Sequence, residues 1–192
     1  MTDEAIAALR GDDSLGPLVA EYGPMTVEPA ENFYERFVVS ILRQQVSMVS
    51  AAATRERLFD RVEPTPEAML AADPELLREA GLSRQKTEYV RNVADAFTER
   101  GYDREYFGGL SDDGVHDELT TIAGVGPWTA DMFLVFALGR EDVFPVEDLG
   151  VRRGMEQVCG REMTRGEMRE RAEAWRPYRS YASRYLWRAY EW

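Results

Sequence analysis

The chain is predicted to fold as an all-α protein, and three observations lead to that prediction. Apolar residues recur at helical spacing along most of its 192 residues, as amphipathic helices require. The alternation of apolar and polar residues that marks half-buried strands is nearly absent. Prolines, glycines and capping residues divide the chain into segments of helix length. These patterns predict about ten helices and no sheet.

The first half of the chain contains four of these helices. Phe33, Phe37 and Ile41 form one apolar stripe of the first helix, which indicates a buried face. Ser83 is a favourable N-cap for the fourth helix, and Gly101 ends it. The expected bounds are 31–46, 48–61, a short helix from Pro74 to Gly81, and 84–100.

The second half supplies the remaining helices. Residues 127–138 are apolar nearly all round, so that helix should be buried. Thr164 and Glu167 have the spacing of a capping box. The expected helices are 104–108, 112–122, 127–138, one that follows Asp148, 165–175 and 178–190.

Composition restricts the functional class. No apolar run approaches the ~20 residues of a membrane span, and the acidic N-terminus lacks the features of a signal peptide. A cytoplasmic protein without membrane contact is therefore expected. Cys159 is the single cysteine, which excludes an intrachain disulfide and a four-cysteine iron–sulfur cluster.

The charge balance is unusual. The net charge of −12 opposes nucleic-acid binding, which depends on basic residues, unless arginines cluster on one face. Lys86 is the sole lysine among 23 basic residues. Excess carboxylates with almost no lysine suit a cytoplasm of high salt, where electrostatic interactions are screened within a few ångströms.

A glycine-rich turn is the most informative motif. Gly124 and Gly126 lie between two helical segments, and Pro127 stands at the first position of the second helix. The N–H groups of such a helix start have no intrahelical partner and form an anion site. Most turns of this type only join two helices. Asp148 also has two interpretations: it is a favourable helix N-cap, and it is a candidate catalytic carboxylate.

Five segments together resemble the DNA glycosylase superfamily that carries a helix–hairpin–helix, a Gly/Pro-rich loop and an essential aspartate, in its 3-methyladenine DNA glycosylase II branch. They are 41–47, 80–86, 119–130, 142–150 and 175–181. The resemblance implies one glycosylase domain over 1–192, built from two interlocked helical subdomains with an active-site cleft between them. The helix–hairpin–helix would span about 112–138, and the N- and C-terminal helices would form the second lobe. Since the helical core begins near residue 31, no N-terminal β-domain is expected.

The resemblance also implies site residues. Asp148 would stabilise the sugar cation, and an everted base would enter a pocket of Trp128, Trp187 and Met132. Gln45 would wedge into the gap that the base leaves, while Gln44 supports the turn. DNA contacts would come from Gly124, Val125, Gly126, Thr129 and Arg179, and a K⁺ or Na⁺ ion would bind the main-chain carbonyls of Thr120, Ile122 and Val125.

The implied reaction is hydrolysis of the N-glycosidic bond that joins an alkylated purine to its sugar. Hydrolysis is implied because relatives with lyase activity carry a lysine at the position of Trp128. Water would then be the nucleophile, no cofactor would be needed for the chemistry, and the strand would stay uncut. The expected partner is damaged duplex DNA, bound by a nucleoid-associated monomer. Two alternatives remain open: a non-catalytic helix–hairpin–helix DNA-binding module, and a glycosylase for another damaged or mismatched base.

Overall fold

The structure, a computed structural model, describes residues 2–190. Within that range it contains helices and no strand, which confirms the all-α prediction. A 3₁₀ turn, Glu173–Trp175, follows the twelfth helix. The helices are α1 (Thr2–Arg10), α2 (Gly16–Tyr22), α3 (Phe33–Arg43), α4 (Met48–Phe59), α5 (Pro66–Ala71), α6 (Pro74–Glu79), α7 (Arg84–Arg100), α8 (Arg104–Gly108), α9 (Asp112–Thr120), α10 (Pro127–Phe136), α11 (Leu149–Cys159), α12 (Arg165–Ala172) and α13 (Arg179–Tyr190).

The described residues form thirteen α-helices, three more than predicted. The additional helices are α1, α2 and α5, which have 9, 7 and 6 residues. Such short segments contain too few turns for a clear apolar period. Two of them precede residue 31, so the expectation that the helical core begins there was wrong. The predicted caps at Ser83, Gly101 and the Thr164–Glu167 box are all present.

The described residues divide into two compact units, one of residues 30–138 and one of residues 2–29 with 139–190. The core of the first unit is aromatic. Phe133 of α10 lies 4.8 Å from Phe37 of α3 and 5.1 Å from Phe107 of α8 between ring centroids. Helix α10 is buried on most sides, as predicted, with Ala130 and Phe133 at 0% exposure. The packing fixes the start of α10, and with it the glycine turn.

The second unit is built around the packing of α11 on α13. A Cβ at Gly154 of α11 would overlap the carbonyl oxygen of Leu186 in α13, so glycine is needed for this close approach. The loop between α1 and α2 is held by Asp12, which accepts hydrogen bonds from Arg171 at 2.7 Å and from the Trp175 indole at 3.0 Å. Val151, in the first turn of α11, is fully buried in the core of this unit, so packing positions the start of α11, where Asp148 lies.

Candidate functional site

The glycine turn joins α9 to α10 in the unit of residues 30–138. Gly124 has φ of +100°, a conformation that glycine adopts without strain. Gly126 is the N-cap of α10 and has no side chain to cap it, and Pro127 follows at the first helical position. The first N–H groups of α10 are therefore directed out of the helix, as an anion site requires.

Two side chains hold the turn from within its unit. The Gln44 amide Nε2 donates to the carbonyl oxygen of Gly124 at 3.0 Å and to Thr129 Oγ1 at 2.9 Å. The Asn92 amide donates to the Ala123 carbonyl at 3.0 Å. These bonds confirm that Gln44 supports the turn.

One predicted DNA contact needs correction, and a second is restricted to its main chain. The N–H of Val125 donates to the Ile122 carbonyl at 3.0 Å, and its side chain is buried, so this amide is engaged inside the turn. The Thr129 side chain is 1% exposed and accepts the hydrogen bond from Gln44. Its hydroxyl therefore supports the turn, whereas its main-chain N–H is one of the first N–H groups of α10, and a DNA contact through that N–H stays a prediction.

Gln45 lies in the short loop between α3 and α4 and is exposed. Its φ of +57° is the one left-handed value at a non-glycine residue among residues 2–190, and such conformations are uncommon outside functional or tightly constrained sites. Its neighbours Val46 and Val49 are 45% and 80% exposed. The loop thus presents an accessible tip, as the predicted wedge requires.

A cavity of about 530 Å³ opens beside the turn. It is lined by the α3–α4 loop, the first turn of α7 and the glycines of the hairpin. The Tyr89 ring of α7 lies so close to Gly124 that any Cβ there would overlap it. Sequence reasoning missed this contact because it depends on how α7 approaches the turn.

Asp148 lies in the other unit, at the N-cap of α11. One carboxylate oxygen, Oδ1, accepts hydrogen bonds from the Val151 N–H at 2.9 Å and from the Trp187 indole N–H at 2.7 Å. Asp148 and Trp187 are both half-buried, and Val151 is fully buried. The carboxylate is therefore an N-cap and is also fixed against an aromatic side chain. The adjacent Glu147 lies apart from these bonds and pairs with Arg165 at 3.1 Å.

Gly150 creates the space for this arrangement. A Cβ at Gly150 would lie 2.8 Å from Trp187 Cδ1 and 3.1 Å from Asp148 Oδ1, which is too close for the indole to stay in place. Gly150 and Gly154 are four residues apart and share one face of α11. Sequence reasoning missed both, although glycines at this spacing are a signal of close helix packing.

Two further predicted site residues have structural contacts. The Arg179 guanidinium is 16% exposed and bonds Asp142, through Oδ1 at 2.7 Å and the main-chain oxygen at 2.8 Å. The Arg179 guanidinium is therefore held in a half-buried ion pair with Asp142 instead of reaching toward a phosphate. Met132 is 2% exposed, so it offers no accessible face to a base. Trp128 is half-buried in the first turn of α10.

Neither a metal-binding cluster of side chains nor a helix that could span a membrane occurs in the described part of the chain. Residues 2–190 contain no group of three or more His, Cys, Asp or Glu side chains placed to hold a metal ion. None of the helices in this range is long and apolar enough to cross a membrane. The described residues offer the hairpin, the Gln45 loop with its cavity, and the Asp148–Trp187 pair as candidate functional features.

Comparison with known proteins identifies the family. The chain belongs to the HhH-GPD superfamily of base excision DNA repair proteins, whose model matches residues 38–179. It is 31% identical over 180 residues to DNA-3-methyladenine glycosylase 1 of Schizosaccharomyces pombe, covering 89% of this chain and 78% of that protein. It is 30% identical over 191 residues to DNA-3-methyladenine glycosylase 2 of Escherichia coli, and the match covers 93% of this chain and 65% of that protein.

A solved structure shows the same fold. The 3-methyladenine DNA glycosylase Mag1 of S. pombe, in complex with abasic DNA, matches this chain with a TM-score of 0.88 and 29% identity. The match covers 96% of this chain and 95% of that one. These comparisons confirm the resemblance on which the sequence-based prediction rested.

Proposed function

We propose that this protein is a monofunctional DNA glycosylase that removes alkylated purines, such as 3-methyladenine, from duplex DNA. The observation that supports this most directly is the Asp148 carboxylate, fixed at 2.7 Å by the Trp187 indole in a member of a base excision repair family. The names of its relatives point to the same lesion class.

The chemistry follows from the charge that develops on the sugar. Breaking the bond between C1′ and the base nitrogen leaves the bonding electrons on the base and positive charge on the sugar, as in other glycosidic cleavages. The fixed Asp148 carboxylate would stabilise that charge and orient the water that attacks C1′. A cationic alkylpurine leaves as a neutral base, so no separate general acid is needed.

Aromatic side chains suit this substrate. An everted base needs flat surfaces on which to stack, and cation–π attraction favours a positively charged alkylpurine over normal bases. We assign this function to Trp187 and Trp128, both half-buried. Trp187 would then have two tasks, since its ring face meets the base while its N–H holds Asp148.

Hydrolysis without strand cleavage is the finer part of the proposal. A lyase needs an amine that forms a Schiff base with the sugar, and position 128 of the hairpin is tryptophan. The one lysine, Lys86, donates its Nζ to the Leu42 carbonyl at 2.6 Å. We therefore assign the attack to water.

A lesion panel tests the proposal. Duplexes that each carry one lesion, including 3-methyladenine, hypoxanthine and 8-oxoguanine, would be incubated with the protein at low and at multimolar salt. We expect release of free 3-methyladenine and an intact abasic strand that breaks only on alkaline heating. Binding without release of any base would instead indicate a DNA-binding module. Borohydride trapping of a covalent protein–DNA adduct would refute the hydrolytic mechanism.

We further propose a monovalent cation at the hairpin, held by the carbonyls of Thr120, Ile122 and Val125. Thr120 is the last residue of α9, where a main-chain carbonyl lacks an intrahelical partner and the negative end of the helix dipole favours a cation. Hard cations prefer oxygen donors of this kind. The ion would link the turn to a DNA phosphate. Replacing both ions by a bulky organic cation at constant ionic strength should weaken DNA binding, and an unchanged affinity would refute the site.

The biological setting is proposed on charge and composition. We expect a cytoplasm of high salt, because the chain has 35 acidic residues against 23 basic ones. We also expect the protein to be a monomer. Sedimentation analysis and thermal melting between low and multimolar KCl test both expectations. A dimer, or a melting temperature that falls as salt rises, would contradict them.

A further inference from the structure

Lys86 occupies an unusual position for a cation. It lies in the first turn of α7, three residues after the N-cap Ser83, and no acidic residue is present in that turn. The N-terminal end of a helix is its positive end, which disfavours a basic side chain. A lysine retained there needs a compensating interaction.

One compensating contact is visible. Lys86 Nζ donates to the main-chain oxygen of Leu42 at 2.6 Å, in the last turn of α3, where the helix dipole favours a cation. This bond uses one of the three N–H donors of the ammonium group. Among residues 2–190 no carboxylate pairs with Lys86, whereas arginines such as Arg84 and Arg55 do form ion pairs.

The cavity beside Lys86 has the chemistry of an anion site. Its lining includes Lys86, Ser83, Gln45 and the hairpin glycines Gly124 and Gly126. None of its lining residues is acidic, although the chain carries 35 Asp and Glu residues. Ammonium, hydroxyl, amide and main-chain N–H donors are the groups that bind phosphate oxygens.

We propose that this cavity is a second phosphate subsite, in which Lys86 binds a backbone phosphate of the DNA beside the one held by the start of α10. The inference rests on the proposed DNA glycosylase function and adds a contact to it. Burial lowers the pKa of the Lys86 amine, a cost that a bound phosphate offsets. The subsite lies next to Gln45, so it would fix the strand where the wedge enters.

The salt dependence of DNA binding tests this subsite. We would measure the Kd for a duplex with a stable abasic-site analogue across a range of salt for wild type, Lys86→Gln, Lys86→Arg and Arg84→Gln. Each phosphate contact contributes about −0.9 to the slope of log affinity against log salt. Lys86→Gln should weaken binding and reduce the slope magnitude by about 0.9, while Lys86→Arg should keep the slope.

Arg84→Gln is the matched control. It removes the same charge from the same helical turn, but Arg84 has an 87% exposed side chain paired with Glu88 and does not line the cavity. Its slope should equal that of wild type. If Lys86→Gln weakens binding without changing the slope, or if both variants behave alike, Lys86 is only structural and the proposal is wrong.

A second measurement needs no variant. Because Lys86 is the only lysine, acetylation of its side chain can be followed by mass spectrometry in the wild-type protein. The rate would be measured with and without saturating abasic-analogue duplex, and each time divided by the rate for free Nα-acetyl-lysine in the same tube. The duplex should lower this ratio at least about tenfold, since a bound phosphate covers the amine. Equal rates with and without DNA would overturn the subsite. Failure of the wild type to bind any duplex would instead overturn the proposed function.

Discussion

The indole N–H of Trp187 donates a hydrogen bond to Oδ1 of Asp148 across 2.7 Å. The same oxygen accepts the N–H of Val151 at 2.9 Å, so two donors from two helices define the position of one carboxylate. A carboxylate held in this way does not need to reorient when charge develops on the sugar. The pair therefore gives the unit that contains it a preorganised electrostatic site.

Trp187→Phe should reduce excision by about tenfold or more. The variant keeps an aromatic ring but removes a hydrogen bond to a charged group, which contributes about 1.5–3 kcal/mol. Single-turnover excision of 3-methyladenine measures the effect, with Kd for the abasic-analogue duplex as the control. Wild-type excision by the phenylalanine variant would show that the N–H has no part in the reaction.

Gly150→Ala should reduce excision in the same way. The new Cβ would lie 2.8 Å from Trp187 Cδ1, so the indole must move away from Asp148. Gly166→Ala is the matched control, since Gly166 is also the second residue of its helix and has only one atom, at 3.9 Å, near its Cβ position. Equal excision rates for the two variants would refute the positioning role of Gly150.

Gly154→Ala should destabilise the protein. Its Cβ would overlap the main-chain carbonyl of Leu186, and backbone cannot move aside as a flexible side chain can. Overpacking of this kind costs about 1–3 kcal/mol, which corresponds to a melting temperature lower by roughly 2–12 °C. Gly166→Ala again supplies the control, because helix propensity alone favours alanine. A melting temperature at or above that of wild type would contradict the packing of α11 on α13.

The hairpin glycines should respond differently to alanine. Nothing lies within 4 Å of a Cβ built on Gly126, so Gly126→Ala should melt like wild type yet bind DNA more weakly, because its methyl group meets the phosphate backbone. Gly124→Ala should lose both stability and affinity, since its φ of +100° is strained for alanine and the Tyr89 ring is in the way. Calorimetric melting and duplex titration measure both quantities. If Gly126→Ala binds DNA with wild-type affinity, no DNA phosphate lies against Gly126 at the start of α10.

Local signals in the sequence predicted much of the fold and part of the site. Ser83, Gly101 and Thr164 mark helix ends because capping depends on neighbours only three or four residues away. The Gly124–Pro127 turn and the N-cap at Asp148 were predictable for the same reason. The sequence also identified Gln44 as a support of the turn, through the family resemblance.

Contacts between distant segments could not be predicted in this way. The fit of Trp187 over Gly150 depends on the crossing of α11 and α13, and the bond from Lys86 to the Leu42 carbonyl depends on where α3 ends. Arg179 illustrates the opposite error, because the family resemblance implied a DNA contact and the folded chain pairs Arg179 with Asp142. Such partners depend on how helices that are distant in the sequence pack against each other, and a single sequence does not specify that packing directly.

Asp148→Asn tests the central claim most directly. Asparagine is as good an N-cap as aspartate, and its oxygen can still accept from Trp187 and Val151, so the substitution removes the charge and keeps these two hydrogen bonds. Single-turnover excision of 3-methyladenine should fall by at least about 100-fold, while the melting temperature and the Kd for abasic-analogue DNA stay at wild-type values. Excision at the wild-type rate by this folded variant would show that the charge on residue 148 does not drive the reaction.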